Sequence, residues 1–304
     1  MNILITQGDP RGIGPEVIVK ALKKISKSKR NRLTIIGEKA VFLKYGWDFN
    51  LCNLIPLTLN KNRIKFSEIE AAKSSFKALE LSMKLIERGN ALGVVTAPIS
   101  KKAWIRAGIN YKGHTEYFRI KFKKDFLMCF SKNEFNAGLL TEHIPLKNVS
   151  KYVTVRNLVS KSLMLIDMIK RKGCGKKIVF SGLNPHCGEE GVIGEEEIKS
   201  IKPAIKKLKK FNIKAYGPFN PEDIFKTCKK LNSNAALFMY HDQILSLIKI
   251  LDGKNDVVHI TWGLGFVRTS PTHGTAFDIA GKNIADETSM LKAIEEAFIL
   301  CGKR

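Results

Sequence analysis

The chain has 304 residues, enough for one large or two ordinary domains with well-buried cores, which excludes a peptide hormone or a small disulfide scaffold. Hydrophobic residues make up 44% and charged residues 26%, values of a folded globular protein rather than of a disordered chain or a membrane bundle. Lys and Arg total 52 against 28 Asp and Glu, a formal charge of +24, but the lysines are spread along apparent helices without interleaved aromatic residues. The reading is a solvated lysine surface with no nucleic-acid partner, in a field that suits an anionic small substrate.

Short runs rich in Ile, Val and Leu alternate with longer segments of helical period, the pattern of a largely parallel, helix-covered sheet in an α/β fold. In chain order the expected strands are Asn2 to Thr6, Leu33 to Ile36, Gly93 to Thr96, Phe126 to Ser131, Ala137 to Leu140, Lys177 to Leu183, Ala235 to Tyr240 and Val257 to Thr261. The expected helices are Pro15 to Ser26, Glu68 to Arg88, Thr154 to Lys172, Glu195 to Phe211, Pro221 to Lys229 and Ser289 to Leu300. No repeat or low-complexity linker divides the chain, and the least structured points for a boundary are near Lys124 and Thr261. The six cysteines are scattered with no Cys-x-x-Cys pair, so reduced thiols are expected, and the start of the chain lacks the pattern of a secretory leader. With no long apolar run, no membrane partner is expected and the location is read as cytoplasmic.

The unusual polar residues follow the strands. Gly8 to Glu16 comes after the first, Thr96 to Lys101 after the Gly93 strand, and Thr141-Glu142-His143 after the Ala137 strand. Asn184-Pro185-His186 follows the Lys177 strand, and His241-Asp242-Gln243 the Ala235 strand. In open α/β sheets the carboxyl ends of strands line the ligand crevice, so these segments are expected to converge.

Three of the six histidines, His143, His186 and His241, sit just past strand ends. Three neutral imidazoles with an open fourth position make a catalytic divalent-metal site. Any one alone reads more readily as a structural histidine, but three in equivalent positions favour the metal. Asp223 and Asp242 are carboxylates that would orient such ligands or cap a turn. The spacing Gly-x-x-x-Gly-x-Gly from Gly8 is neither the dinucleotide fingerprint nor a phosphate loop ending in Gly-Lys-Ser/Thr, and on its own it marks a tight strand-to-helix turn. His114 and Thr115, in Gly113-His114-Thr115-Glu116, offer an imidazole, a hydroxyl and helix-start backbone donors for a phosphate, or else Thr115 is simply a cap. Lys249, two helical turns past His241, and Arg268 would point at the same anion. The string from Thr269 to Lys282 reads as a loop plus a short helix, in which His273, Gly274 and Ala276 would let an adenosine approach and Asp278 would accept from a ribose hydroxyl.

Together these strings resemble the 4-hydroxythreonine-4-phosphate dehydrogenase family of the pyridoxal phosphate pathway. The matching blocks are GDPRGIGPE at Gly8, TAPISK at Thr96, GHTEYF at Gly113, TEHIPL at Thr141, GLNPHCGEEGVIGEEE at Gly182, MYHDQ at Met239 and RTSPTHGTAFDIAG at Arg268, in order over nearly the whole chain. GIGPE and HGTAFDIAGK are also similar to segments of the isocitrate and isopropylmalate dehydrogenases. The resemblance implies two α/β/α subdomains with a cleft between them, residues 1–124 with 262–304 forming the first and 125–261 the second. It further implies a homodimer with shared active sites, NAD or NADP bound along the HGTAFDIAG segment, and a divalent metal (Zn, Co or Mg) on His143, His186 and His241. It assigns substrate binding to His114, Thr115, Lys249 and Arg268. Where the family usually has Asn-Ile-Thr-Leu-Gly-Leu-Pro, this chain has His259-Ile260-Thr261-Trp262-Gly263-Leu264-Gly265, so His259 replaces a substrate-contacting asparagine.

The implied reaction is oxidation of 4-phosphooxy-L-threonine by NAD(P) with loss of carbon dioxide, giving 3-amino-2-oxopropyl phosphate. Lys249 or Asp242 is the candidate proton acceptor. Three rivals are kept: the same chemistry on threonate or erythronate 4-phosphate, acyl transfer to phosphate as in phosphate acetyltransferases, and a basic binding protein without catalysis.

Overall fold

The structure, a computed structural model, describes residues 2–58, 63–251 and 256–302, with only the backbone of 247 and 249–251. The elements in chain order are β1 (Ile3–Thr6), α1 (Gly14–Lys23), α2 (Lys27–Arg30), β2 (Leu33–Gly37), α3 (Lys39–Lys44), β3 (Asn53–Pro56), α4 (Glu68–Glu87), β4 (Gly93–Thr96), α5 (Lys101–Arg106) and α6 (His114–Phe122). They continue as β5 (Leu127–Lys132), β6 (Phe135–Leu139), α7 (Val149–Tyr152), α8 (Val155–Arg171), β7 (Lys177–Ser181), α9 (Lys202–Leu208), β8 (Lys214–Phe219), α10 (Ile224–Leu231), β9 (Ala235–Phe238), α11 (His241–Leu251), β10 (Val258–Trp262), β11 (Val267–Pro271) and α12 (Thr288–Gly302).

The chain forms two compact units. One comprises Met1–Asp125, Lys254–His259 and Leu264–Cys301; the other comprises Phe126–Gly253, Ile260–Gly263 and the C-terminal residues Gly302–Arg304. In the first unit the strand order is β3-β2-β1-β4-β11, and every pairing is parallel. In the second the order is β5-β6-β9-β7-β8, parallel except for the β5–β6 pair. That antiparallel pair follows from its short connection: two residues suffice for a hairpin, whereas parallel neighbours need a crossover.

The strands read as continuous apolar runs because helices cover them. Ile3, Ile5, Leu33, Ile35, Ile36, Val94 and Val95 are 3% exposed or less, a degree of burial that stabilises by roughly 1.5–3 kcal/mol for each large side chain. Helix α4 begins at Ser67, whose side chain accepts from the Glu70 amide while Glu70 returns a bond to the Ser67 amide, and it buries Ala71, Ala72, Ala78, Leu79 and Met83. Helix α8 starts on Thr154, whose hydroxyl accepts from the Asn157 amide, and buries Leu158, Leu165, Ile166 and Ile169 at helical spacing.

Three strands and several short helices depart from the sequence expectations. Strands β3 and β8 are the edges of their sheets, and β11 is a buried strand written in polar letters, Val-Arg-Thr-Ser-Pro. The expected helix from Glu195 to Phe211 is three pieces: a π-helical turn at Glu197–Ile201, α9, and a 3-10 turn at Lys209–Phe211. The segment after β11 holds turns over residues 277–283 and no helix before α12, which corrects the expected short helix.

Gly93 faces Val267 across the β4–β11 pair, where an added Cβ would lie 2.7 Å from the Val267 carbonyl oxygen and 2.9 Å from its Cβ. Gly93→Ala is therefore expected to lower unfolding free energy by about 1–3 kcal/mol, read as a lower denaturation midpoint at unchanged slope.

Candidate functional site

A buried guanidinium organises the first unit. Arg268, on β11, is 3% exposed. Its Nε and Nη2 donate to Thr96 Oγ1 at 3.1 and 2.8 Å, and its Nη1 donates to His259 Nδ1 at 2.9 Å. Thr96 ends β4, the parallel neighbour of β11, so the sheet itself sets the hydroxyl beside the side chain. The Ser270 hydroxyl is 3.3 Å from the same His259 nitrogen, and the Phe118 ring lies 5.8 Å from the guanidinium carbon. Burial pushes the Arg268 pKa down to about 9, which still leaves it charged at neutral pH.

His114 opens α6 immediately after Gly113, whose φ of 133° is a glycine conformation and whose missing Cβ would lie 3.3 Å from the Lys101 side chain. The Trp104 ring meets the His114 ring edge-on at 5.5 Å, and Phe118 lies nearly parallel to it at 6.4 Å. Desolvation first, then the charges of Arg268 and Lys101, hold His114 well below the usual imidazole range, so the ring is neutral at pH 7. The cap of α6 is Gly113, and Thr115 is the second helical residue rather than a cap. A guanidinium, a neutral imidazole donor, a nearby lysine and a helix N-terminus are groups of the kind that can hold a phosphate or carboxylate.

The turn at Gly8 and the segment after β11 belong together. The Ile13 amide donates to the Thr275 carbonyl at 3.0 Å, and a Cβ on Gly12 would lie 2.7 Å from that same oxygen. Arg11 pairs with the buried Asp9 and stands 5.1 Å over the Phe277 ring. Glu16, fully buried in the first turn of α1, accepts from the Ala285 amide at 2.9 Å and from Lys20 at 2.8 Å. Within the docked segment, His273 Nδ1 lies 2.9 Å from the Gly274 carbonyl, Ala276 has φ 41°, and Asp278 is exposed. Burial lowers the His273 pKa.

In the second unit His143, His186 and His241 follow β6, β7 and β9, as the sequence places them. The rings of His143 and His241 lie 5.2 Å apart. Asp242 Oδ1 is 2.7 Å from His241 Nδ1; the carboxylate accepts there, which fixes the tautomer and leaves the Nε2 lone pair for an ion. His186 stands exposed in a left-handed turn, φ running 52°, 54°, 78°, 43° and 55° from His186 to Glu190. Left-handed geometry costs a non-glycine residue roughly 1–2 kcal/mol, so the turn requires support. Glu197, fully buried in the π-helical turn, supplies some: it accepts from the Leu183 and Asn184 amides at 2.7 and 2.8 Å and from Asn184 Nδ2 at 2.9 Å. Among the described residues no three His, Cys, Asp or Glu side chains are gathered closely enough to hold an ion, so the structure pairs His143 with His241 and does not add His186 to them. The Lys249 side chain lies outside the described residues; its backbone is in α11. Asp223 ends a 3-10 turn and precedes α10.

The sequence singled out Arg268 and His259 individually, but Thr96 only as the start of TAPISK and Glu197 only as the end of GLNPHCGEEGVIGEEE, with no role for either. The Thr96 hydroxyl joins the cluster through the parallel strand pairing, and the role of Glu197 depends on a loop thirteen residues back.

Parallel α/β units with polar groups at their strand ends are the architecture of the isocitrate/isopropylmalate dehydrogenase-like proteins, and the matched structures share it. Residues 15–297 match the family model described as "Pyridoxal phosphate biosynthetic protein PdxA". The chain is 37% identical to the 4-hydroxythreonine-4-phosphate dehydrogenase of Sulfurihydrogenibium sp. (strain YO3AOP1), over 99% of this chain and 98% of the relative. It is also similar to the crystal structure of 4-hydroxythreonine-4-phosphate dehydrogenase from Klebsiella pneumoniae, with TM-score 0.85, 28% identity, and 100% and 98% of the two chains covered. A Clostridium botulinum (strain Hall) relative, 31% identical over 94% of this chain and 93% of its own, bears a name that provisionally assigns it as a D-threonate 4-phosphate dehydrogenase. The chain belongs to the PdxA family of 4-hydroxythreonine-4-phosphate dehydrogenases.

Because the folded protein keeps His114 neutral where the unfolded chain would take a proton, acid favours unfolding below the ordinary imidazole pKa of about 6.5. His114→Gln is therefore expected to lose less stability than the parent between about pH 7 and about pH 5, measured as denaturation midpoints across that range.

Proposed function

We propose that this protein uses NAD or NADP to oxidise the C3 hydroxyl of 4-phosphooxy-L-threonine and that carbon dioxide then leaves, giving 3-amino-2-oxopropyl phosphate for pyridoxine phosphate synthesis. The observation that carries the reading is the receptor built on Arg268 and His114, in a chain of this family. Arg268 and His114, with Thr115 beside them, bind the substrate's anionic end. His259 and Thr96 hold Arg268 in place for it. The segment from His273 through Gly274 and Ala276 to Asp278, docked on the Gly8 turn, lies along the adenosine half of the dinucleotide.

The imidazoles of His143, His186 and His241 would hold a divalent cation, and zinc or cobalt suits an all-imidazole set better than magnesium. The facing His143 and His241 rings, with the His241 tautomer set by Asp242, fit two positions of that set. The reading completes the set in a homodimer whose active sites draw on both chains. When bound, the cation supplies Lewis-acid polarisation of the substrate oxygens and the nicotinamide supplies the hydride acceptor. Asp242 acts as the orienting carboxylate of His241, which leaves Lys249 to take the hydroxyl proton. No helix among the described residues is long and apolar enough to cross a membrane, and the reading places the dimer in the cytoplasm.

D-threonate 4-phosphate is the competing substrate. It carries a hydroxyl where 4-phosphooxy-L-threonine carries an amine, so a site built for either discriminates strongly against the other. With 4-phosphooxy-L-threonine, NAD(P) and metal present, the reduced-nicotinamide band is expected to grow, to stop on chelation and to return on metal addition. kcat/KM should exceed that for D-threonate 4-phosphate by about tenfold or more. Equal or reversed preference would transfer the assignment to the sugar-acid phosphate, and no reduction with either substrate would refute the dehydrogenase reading.

A further inference from the structure

His259 meets Arg268 in a way that fixes its own chemistry. A guanidinium has five N–H donors and no acceptor, so the 2.9 Å contact from Arg268 Nη1 requires a lone pair on His259 Nδ1. The ring is thereby neutral, with its proton on Nε2. The Ser270 hydroxyl, 3.3 Å away, donates to the same nitrogen. Arg268 is clamped from two sides, by Thr96 Oγ1 across Nε and Nη2 and by His259 Nδ1 at Nη1, so the plane of its fork is set before any ligand arrives. Near the pair, the charges of Arg268 on β11 and Lys101 on α5 both act on His114 on α6.

We infer that His259 is a positioning residue for anion binding: as the neutral Nε2–H tautomer it holds the Arg268 fork in its binding orientation. An imidazolium there would set donor against donor and one positive charge beside another. An amide in place of His259, which accepts through oxygen, keeps the contact with Arg268, whereas a methyl group loses it. The inference rests on the reading of Arg268 as the anion anchor.

The test uses the metal-loaded enzyme with saturating dinucleotide and compares the parent protein with His259→Ala, His259→Asn and Arg268→Ala. All are first checked for folding by circular dichroism and thermal midpoint. His259→Ala should raise the KM for the phosphorylated substrate about tenfold with little change in kcat, and His259→Asn should recover most of that loss. Ring-nitrogen NMR of the parent at neutral pH should show His259 as the Nε2–H tautomer. An imidazolium or Nδ1–H form, or a His259→Asn KM no better than that of His259→Ala, overturns the inference. If Arg268→Ala leaves KM unchanged, the anchor itself is wrong; if Arg268→Ala loses binding while both His259 variants behave as the parent, only the role of His259 is wrong.

Discussion

A guanidinium cannot be carried into a protein interior unless its donors are met, because an unsatisfied buried charge costs several kcal/mol. The first unit answers that demand at Arg268 with a threonine hydroxyl on the adjoining parallel strand and a histidine on the strand segment at its other side. Around it stand Thr96, Ser270, the Phe118 ring and His114, with the Gly113 that lets α6 begin close to Lys101. The cluster is fixed by backbone geometry and by neutral hydrogen-bond partners.

Much of this was legible in the sequence where apolar runs decide the structure. Strands such as Gly93–Thr96 and Ala235–Phe238, and helices such as Glu68–Glu87, follow from runs and periods that leave few alternatives. The elements that escaped have physical reasons. Asn53–Pro56 and Lys214–Phe219 are edge strands, mostly half-buried, in which Asn, Lys, Gly and Pro interrupt the apolar run. Val267–Pro271 is fully buried yet spells Arg, Thr, Ser and Pro, because its polar atoms are satisfied by tertiary partners that no local pattern reveals. The left-handed run at His186 was equally hidden: glycine would announce it, but four of its five residues carry side chains, and its support comes from Glu197.

Residue spacing located the candidate site chemistry without assembling it. It put histidines after three strands, and the rings of two of them lie 5.2 Å apart. It singled out the Gly8 turn and the Thr269–Lys282 string as separate features, and the structure joins them through the Ile13–Thr275 bond and the buried Glu16. That union gives the glycines a reason beyond turning the chain, since Gly12 is bare where the Thr275 carbonyl presses in. Membership of the PdxA family sets the class of chemistry.

The central claim, that the buried Arg268 and its neutral neighbour His114 form the anchor for a phosphorylated hydroxy acid, is tested most directly by a crystal structure of the protein with 4-phosphooxy-L-threonine bound. The account predicts ligand oxygens within hydrogen-bonding distance of the Arg268 guanidinium and the His114 ring, with Arg268 still bonded to Thr96. Electron density for the ligand elsewhere, with neither side chain touching it, would contradict the account.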